Sequence, residues 1–316
     1  MTPFPDRLAH PKTCLRLSSW ERARAAIRQP QRIGLKPQRH NIKNHAGEEF
    51  AVFGWGDTGS PIMLHHATGF CAAVWSSIAR SVAVGHRVFA FDARGHGDST
   101  KSIGEISWQR YADDLADVSK SVLELCGVDA FAGAVGHSLG GTAALTAAVA
   151  EPDLFASLFL VEPVLIPATG PGARPAGRTV FSAATRMRTP RFASRAAAHE
   201  ALAGTDPFRG FQDRVLADYI EYGLKDREEG DVELKCCPST EASIYELGTT
   251  DVLESLASLT AKVKIISAAE SRFAPAYDLL RERVPSFEFE QVEASHLAPM
   301  EIPDMLAPMI RKWVSC

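Results

Sequence analysis

A chain of 316 residues can bury a large core, either as one α/β domain with an insertion or as two ordinary domains. With 46% hydrophobic and 23% charged residues and a formal net charge of −4, it excludes a general electrostatic pull toward nucleic acid or anionic membrane. No apolar run is long enough to span a bilayer, and neither a phosphate-binding glycine loop nor a zinc-type Cys/His spacing occurs.

Residues 1–46 read as a basic extension. Between Arg7 and Arg39 nine cations face only Asp6 and Glu21 over the first 40 positions. Two readings stand for it: an organellar transit segment, or a solvated basic arm. No apolar stretch near the start resembles a secretory signal. The six scattered cysteines (Cys14, Cys71, Cys126, Cys236, Cys237, Cys316) are therefore expected as reduced thiols in a cytoplasmic setting.

Alternating β and α signals follow. Glu49 to Trp55 reads as a strand, and Gly56–Ser60 as a turn. Ile62 to Leu64 predicts a buried strand, Cys71 to Val84 a helix, and Arg87 to Phe91 another strand. From Trp108 to Leu125, apolar residues recur at helical spacing through Tyr111, Leu115, Val118 and Val122. Ala130–Val135 predicts a strand, the alanine-rich run to Ala150 a helix, and Leu158–Val161 a strand. This alternation predicts a mostly parallel sheet covered on both faces.

The pattern breaks over 163–260, which is rich in Pro, Gly and Arg and holds only short helical pieces. It resumes with a strand at Val263–Ser267, a helix at Ala276–Val284, a strand at Phe287–Val292 and a helix at Asp304–Trp313. The expected organisation is a core of 47–162 and 261–316 interrupted by a lid-sized insertion at 163–260.

Gly136-His137-Ser138-Leu139-Gly140-Gly141 lies between a strand and a helix. A sharp strand-to-helix turn forces its central residue into a strained backbone, so the neighbours must be nearly free of side chains. Ser138 Oγ then projects beside the positive end of the helix, and the Leu139 amide is positioned for a developing oxyanion. His296 follows the last strand and precedes the last helix, where a loop can bring its imidazole to Ser138 as general base. For the acid that orients this histidine, two carboxylates qualify: Glu162, at the end of the strand after the nucleophile helix, and Glu270, after the next strand. Glu162 is favoured, because Ser271 occupies the position where the acid usually stands and Glu270 is one residue off. Met63–Phe70 supplies the second oxyanion donor, with Thr68 the expected amide and Ala67 and Gly69 allowing close approach. His65 and His66 are adjacent on extended chain and face opposite ways, which argues against a metal. Asp92 to Ser99 reads as a loop held by its own polar side chains.

Taken together, His66–Phe70 (H-x-x-G-F), Asp92–Ser99 (D-x-R-G-x-G-x-S), Gly136–Gly141 and Ser295–Pro303 resemble the α/β-hydrolase superfamily from about residue 47 onward. The chain departs from the common pattern at Ala67 and Ser271. The resemblance implies an eight-stranded, mostly parallel sheet with a helical cap after the sixth strand. A serine nucleophile argues against the epoxide hydrolases and dehalogenases of this fold, which attack with aspartate. The expected activity is serine-dependent hydrolysis of an ester-like bond in a small molecule, without cofactor. Amidase, thioesterase, carbon–carbon hydrolase and low-turnover binding protein are the alternatives, and a homodimer is compatible. Phe181, Met187, Phe192, Phe208, Phe211, Tyr219, Tyr222 and Tyr245 of the insertion either line a pocket or form its own small core. Its arginines, from Arg174 to Arg195, either receive an acidic substrate or form a solvated face.

Overall fold

Strands buried on both faces need apolar side chains at nearly every position, and the middle of this sheet is made of such runs. The computed structural model describes residues 37–101, 104, 106–167, 177–248 and 250–315. Most of the basic arm, Cys14, Cys316 and Arg174 lie outside them. In chain order the first half comprises β1 (Gln38–Lys43), β2 (Glu49–Trp55), β3 (Pro61–His65), α1 (Ser76–Val82), β4 (Arg87–Phe91), α2 (Trp108–Cys126), β5 (Gly133–His137), α3 (Leu139–Ala150) and β6 (Ser157–Val161). The segment leaving β6 carries α4 (Val180–Arg186), β7 (Arg191–Phe192), α5 (Arg195–Ala203), α6 (Asp213–Gly223), β8 (Leu224–Asp226), β9 (Val232–Leu234) and α7 (Pro238–Glu246). The chain then returns through β10 (Lys262–Ala268), α8 (Ala274–Arg283), β11 (Glu288–Val292), α9 (Ala298–Glu301) and α10 (Pro303–Val314).

The large sheet has eight strands in the order β1-β2-β4-β3-β5-β6-β10-β11. Its first two pairings are antiparallel and the remaining five parallel. Successive side chains divide between two cores. Met63, Phe89, Phe91 and Leu158 pack with Tyr111, Leu115 and Val118 of α2. Ile62, Leu64, Val88 and Phe159 pack with Ile78 of α1 and Leu306 and Ile310 of α10 on the other face. Helix α2 begins where Ser107 Oγ accepts the Arg110 amide and stops at Gly127, whose φ of 68° satisfies the final carbonyls. The parallel strands all end at one edge, where open α/β sheets bind ligands.

The sheet begins earlier than the expected boundary at residue 47. Residues 38–43 of the supposed arm pair with β2, burying His40 and Ile42 on one side. A strand with one apolar residue in six gives almost no hydrophobic signal. The fifth strand also runs to His137 rather than stopping at Val135, because Gly133 and Gly136 are poor strand formers that tertiary pairing overrides. The predicted helix at 71–84 is a 3₁₀ turn, Ala72–Trp75, followed by the shorter α1. Within 163–260 lies an antiparallel sheet, β7-β9-β8, that the sequence reading missed. Its strands, two or three residues long, are too short to show a period.

Candidate active site

Four chain segments meet at the strand ends. Ser138 sits between β5 and α3 with φ 54° and ψ −116°, a conformation costly for any residue but glycine. Its amide bonds to the Val161 carbonyl, and its own carbonyl receives the Gly141 and Thr142 amides, so both sides of the turn are tied down. Gly140 packs against the His65 backbone so closely that a Cβ there would strike the His65 carbonyl. The bend is held from outside by the neighbouring strand.

His296 Nε2 lies 3.0 Å from Ser138 Oγ, and Nδ1 lies 3.1 Å from Glu162 Oε2. A carboxylate accepts only, so the ring proton belongs on Nδ1 and the Nε2 lone pair is free to receive the serine proton. The other oxygen of Glu162 accepts the Ala268 amide at 2.8 Å. Glu162 is buried, with φ 50°, a left-handed conformation at a non-glycine residue that turns its side chain toward His296. The chain beyond it is pinned: Tyr277 Oη donates to the Pro163 carbonyl at 2.9 Å, and Thr142 Oγ1 to that of Val164 at 2.6 Å. Glu270 lines the same cavity but makes no hydrogen bond to His296. His137 Nε2–H donates to the His296 carbonyl at 2.7 Å, and its ring stands 5.2 Å from the His296 ring. Burial, with His296 beside it, pushes His137 down to about 3, so it stays neutral in this role.

The second donor loop is built on two buried histidines. His66 Nε2 accepts the Ala93 amide at 2.9 Å, which leaves the proton on Nδ1 to be donated to the Ala67 carbonyl at 2.7 Å. Because the peptide is planar and trans, fixing the Ala67 carbonyl aims the Thr68 N–H the opposite way. His96 Nε2 accepts the Gly69 amide at 2.9 Å, and its Nδ1–H donates to the Arg94 carbonyl. Burial holds His66 well below its ordinary value and brings His96 to about 3, so both rings remain neutral connectors. Among the described residues neither the Thr68 nor the Leu139 amide has a hydrogen-bond acceptor, and Leu139 opens a twelve-residue helix. Two free N–H groups flanking a serine suit a developing oxyanion.

A cavity of about 800 Å³ opens over Ser138 and His296. Thr68, Glu162, Val164, Trp108, Phe273 and Arg188 are part of its wall. Of the insertion aromatics, Phe181, Phe208 and Tyr245 line it, while Phe208, Phe211 and Tyr219 cluster around Phe70 as a small core. Met187 is exposed. The arginines read either as receivers of an acidic substrate or as a solvated face are largely paired: Arg186 with Glu246, Arg188 with Glu241, Arg191 with Glu233, and Arg195 with Asp226. The sequence reading missed His137 as a tether and Glu241 as a cavity residue. The first sits inside the serine motif, where the reading rested on the serine and its glycines, and the second has little local signal because Arg188 and the Gly69 loop that it meets lie far away in sequence. Cys71, Cys126, Cys236 and Cys237 are free thiols.

A sequence profile for the alpha/beta hydrolase fold matches residues 60–301. A protein of Azorhizobium caulinodans assigned by name to the carbamate hydrolases (RutD) is 26% identical over 274 residues, spanning 84% of this chain and 95% of that one. The 3-oxoadipate enol-lactonase 1 of Acinetobacter baylyi is 24% identical over 276 residues, spanning 83% of this chain and 92% of its own. Among solved structures, E-2-(acetamidomethylene)succinate hydrolase superposes with a TM-score of 0.73 at 20% identity, over 89% of this chain and 100% of that one. At that identity the likeness is one of fold.

Proposed function

Because the chain belongs to the α/β-hydrolase fold family, we propose that it is a serine hydrolase cleaving an ester-like bond of a small molecule through Ser138, His296 and Glu162. The observation that carries this reading is the unbroken hydrogen-bond line from Ser138 Oγ through the imidazole to a buried carboxylate. In the proposed reaction His296 Nε2 takes the Ser138 proton as Oγ attacks the substrate carbonyl. The Thr68 and Leu139 amides hold the resulting oxyanion, and Glu162 stabilises the imidazolium. His296 then protonates the leaving group, activates a water, and the acyl group departs as the free acid. The relatives' names speak of a carbamate and a lactone, acyl bonds of the same broad kind. A cavity of about 800 Å³ falls within the roughly 300–1,000 Å³ usual for small-molecule sites. In this reading the insertion at 163–260 acts as the cap that shapes it.

Labelling with a fluorophosphonate, beside turnover of p-nitrophenyl esters, tests the assignment. Wild type should be labelled and active. Ser138→Ala and His296→Ala should lose both signals while keeping the wild-type fold by circular dichroism. A folded wild type that is neither labelled nor active would move the assignment to a binding protein. Labelling without ester turnover would point to an amide, thioester or carbon–carbon bond cleaved by the same groups.

A further inference from the structure

Glu241 is a buried carboxylate pressed against the loop that carries the Thr68 amide. A Cβ at Gly69 would lie 2.7 Å from its carboxyl group, and Gly69 has φ +85°, so glycine is required there on two counts. Arg188 grips this carboxylate with both terminal nitrogens, at 2.7 and 3.3 Å, and Tyr245 Oη donates to it at 3.1 Å. The same tyrosine oxygen stands 3.5 Å from the Thr68 carbonyl, and Tyr219 Oη donates to the Gly69 carbonyl at 3.3 Å. Every one of these side chains comes from the segment between β6 and β10, whereas the loop belongs to the sheet. Helix α4 is tied in turn to α7 through Arg186 and Ser182, which both bond Glu246.

We propose that Glu241, held by Arg188 and Tyr245, is a positioning residue for the oxyanion site: a strut from α7 that fixes the Thr68–Gly69 peptide, with Arg188 cancelling its charge. This rests on the serine-hydrolase reading above. An unpaired carboxylate in that place would oppose a negative charge growing on the substrate oxygen. The carboxylate is therefore tolerated there only while a cation pairs it. Removing the cation while leaving the anion is worse for the reaction than removing both charges.

The test compares Arg188→Met, Glu241→Gln, Glu241→Ala and the double variant Arg188→Met/Glu241→Gln on one p-nitrophenyl ester. Affinity for a trifluoromethyl ketone, whose serine adduct carries an oxyanion, is measured alongside. Arg188→Met should lower kcat by about 10–100-fold with KM within about threefold, the scale set by displacing a catalytic group by an ångström. The double variant should recover at least tenfold of that loss, and ketone affinity should follow kcat. Equal impairment of Arg188→Met and the double variant, an effect on KM alone, or wild-type kcat throughout would overturn the strut. Should Arg188→Met not fold, Glu241→Ala against Glu241→Gln decides: about tenfold loss of kcat in the first with near-wild-type kcat in the second supports it, and equal rates refute it. Ser138→Ala separates the two failures. If it keeps the esterase activity, the serine reading falls. If it is dead while all strut variants are normal, only the strut falls.

Discussion

Glu162 spends both of its oxygens inside the protein, one on His296 Nδ1 and one on the Ala268 amide. Replacing it by glutamine keeps the shape but allows an N–H to face the imidazole, which favours the wrong tautomer. Glu162→Gln should therefore lower kcat by about 10²–10⁴-fold with little change in KM, the order seen when a triad acid becomes an amide. Glu270→Gln should stay within about threefold of wild type in the same ester assay, and a larger loss there would revive the competing acid. Ser138 and His296 stood out in the sequence as candidates because turn chemistry marks them: glycines flank one, and the other follows the last strand. Glu162 was harder to read. Its direction depends on a positive φ at a glutamate, which no local composition signals. Glu270, one residue before the usual acid position, stayed in the reading as the less favoured alternative.

Most strands and helices were legible at the level of elements because period and turn residues agreed, and the failures share one cause. β1 pairs with the adjacent β2, β8 with the adjacent β9 and β7 with the distant β9, and in all of them the residues themselves carry little pattern. The strand–turn–helix around Ser138 is the opposite case, since local sequence and tertiary packing demand the same thing. Gly140→Ala tests that demand. The added methyl would strike the His65 carbonyl, part of β3, so the turn, the helix or the strand has to move. The expected cost is at least about 2 kcal/mol in urea unfolding, in the range of overpacked core sites. Esterase activity should fall with it, because the Leu139 amide moves with the helix start. A variant as stable as wild type would show that β3 yields easily.

Across the whole molecule, acid sensitivity follows from the buried histidines. Burial pushes His65 down to about 4, His96 and His137 to about 3, and His66 well below its ordinary value. Below the unfolded value of 6.5 the unfolded chain takes up protons that the folded one refuses, so stability should fall as pH drops from 6.5 toward 4. Each histidine contributes up to about 1.4 kcal/mol per pH unit in that window. The buried carboxyls of Asp92 and Asp114, raised by burial, act in the opposite sense and make the observed slope shallower. Urea unfolding at pH 7 and pH 5 should show lower stability at pH 5, and equal values would contradict the neutral-connector role. The neck of the insertion has a different consequence. Tyr277 and Thr142 clasp the Pro163 and Val164 carbonyls directly after Glu162, and the Thr250 amide bonds the Ile166 carbonyl to close the loop. Like a clamped cable, the chain can be tugged beyond that neck without moving Glu162. The neck therefore predicts that an insertion of another length or sequence, grafted beyond residue 166, leaves Glu162 in register, and that ester turnover then depends on whether the graft brings its own brace for the Thr68–Gly69 peptide.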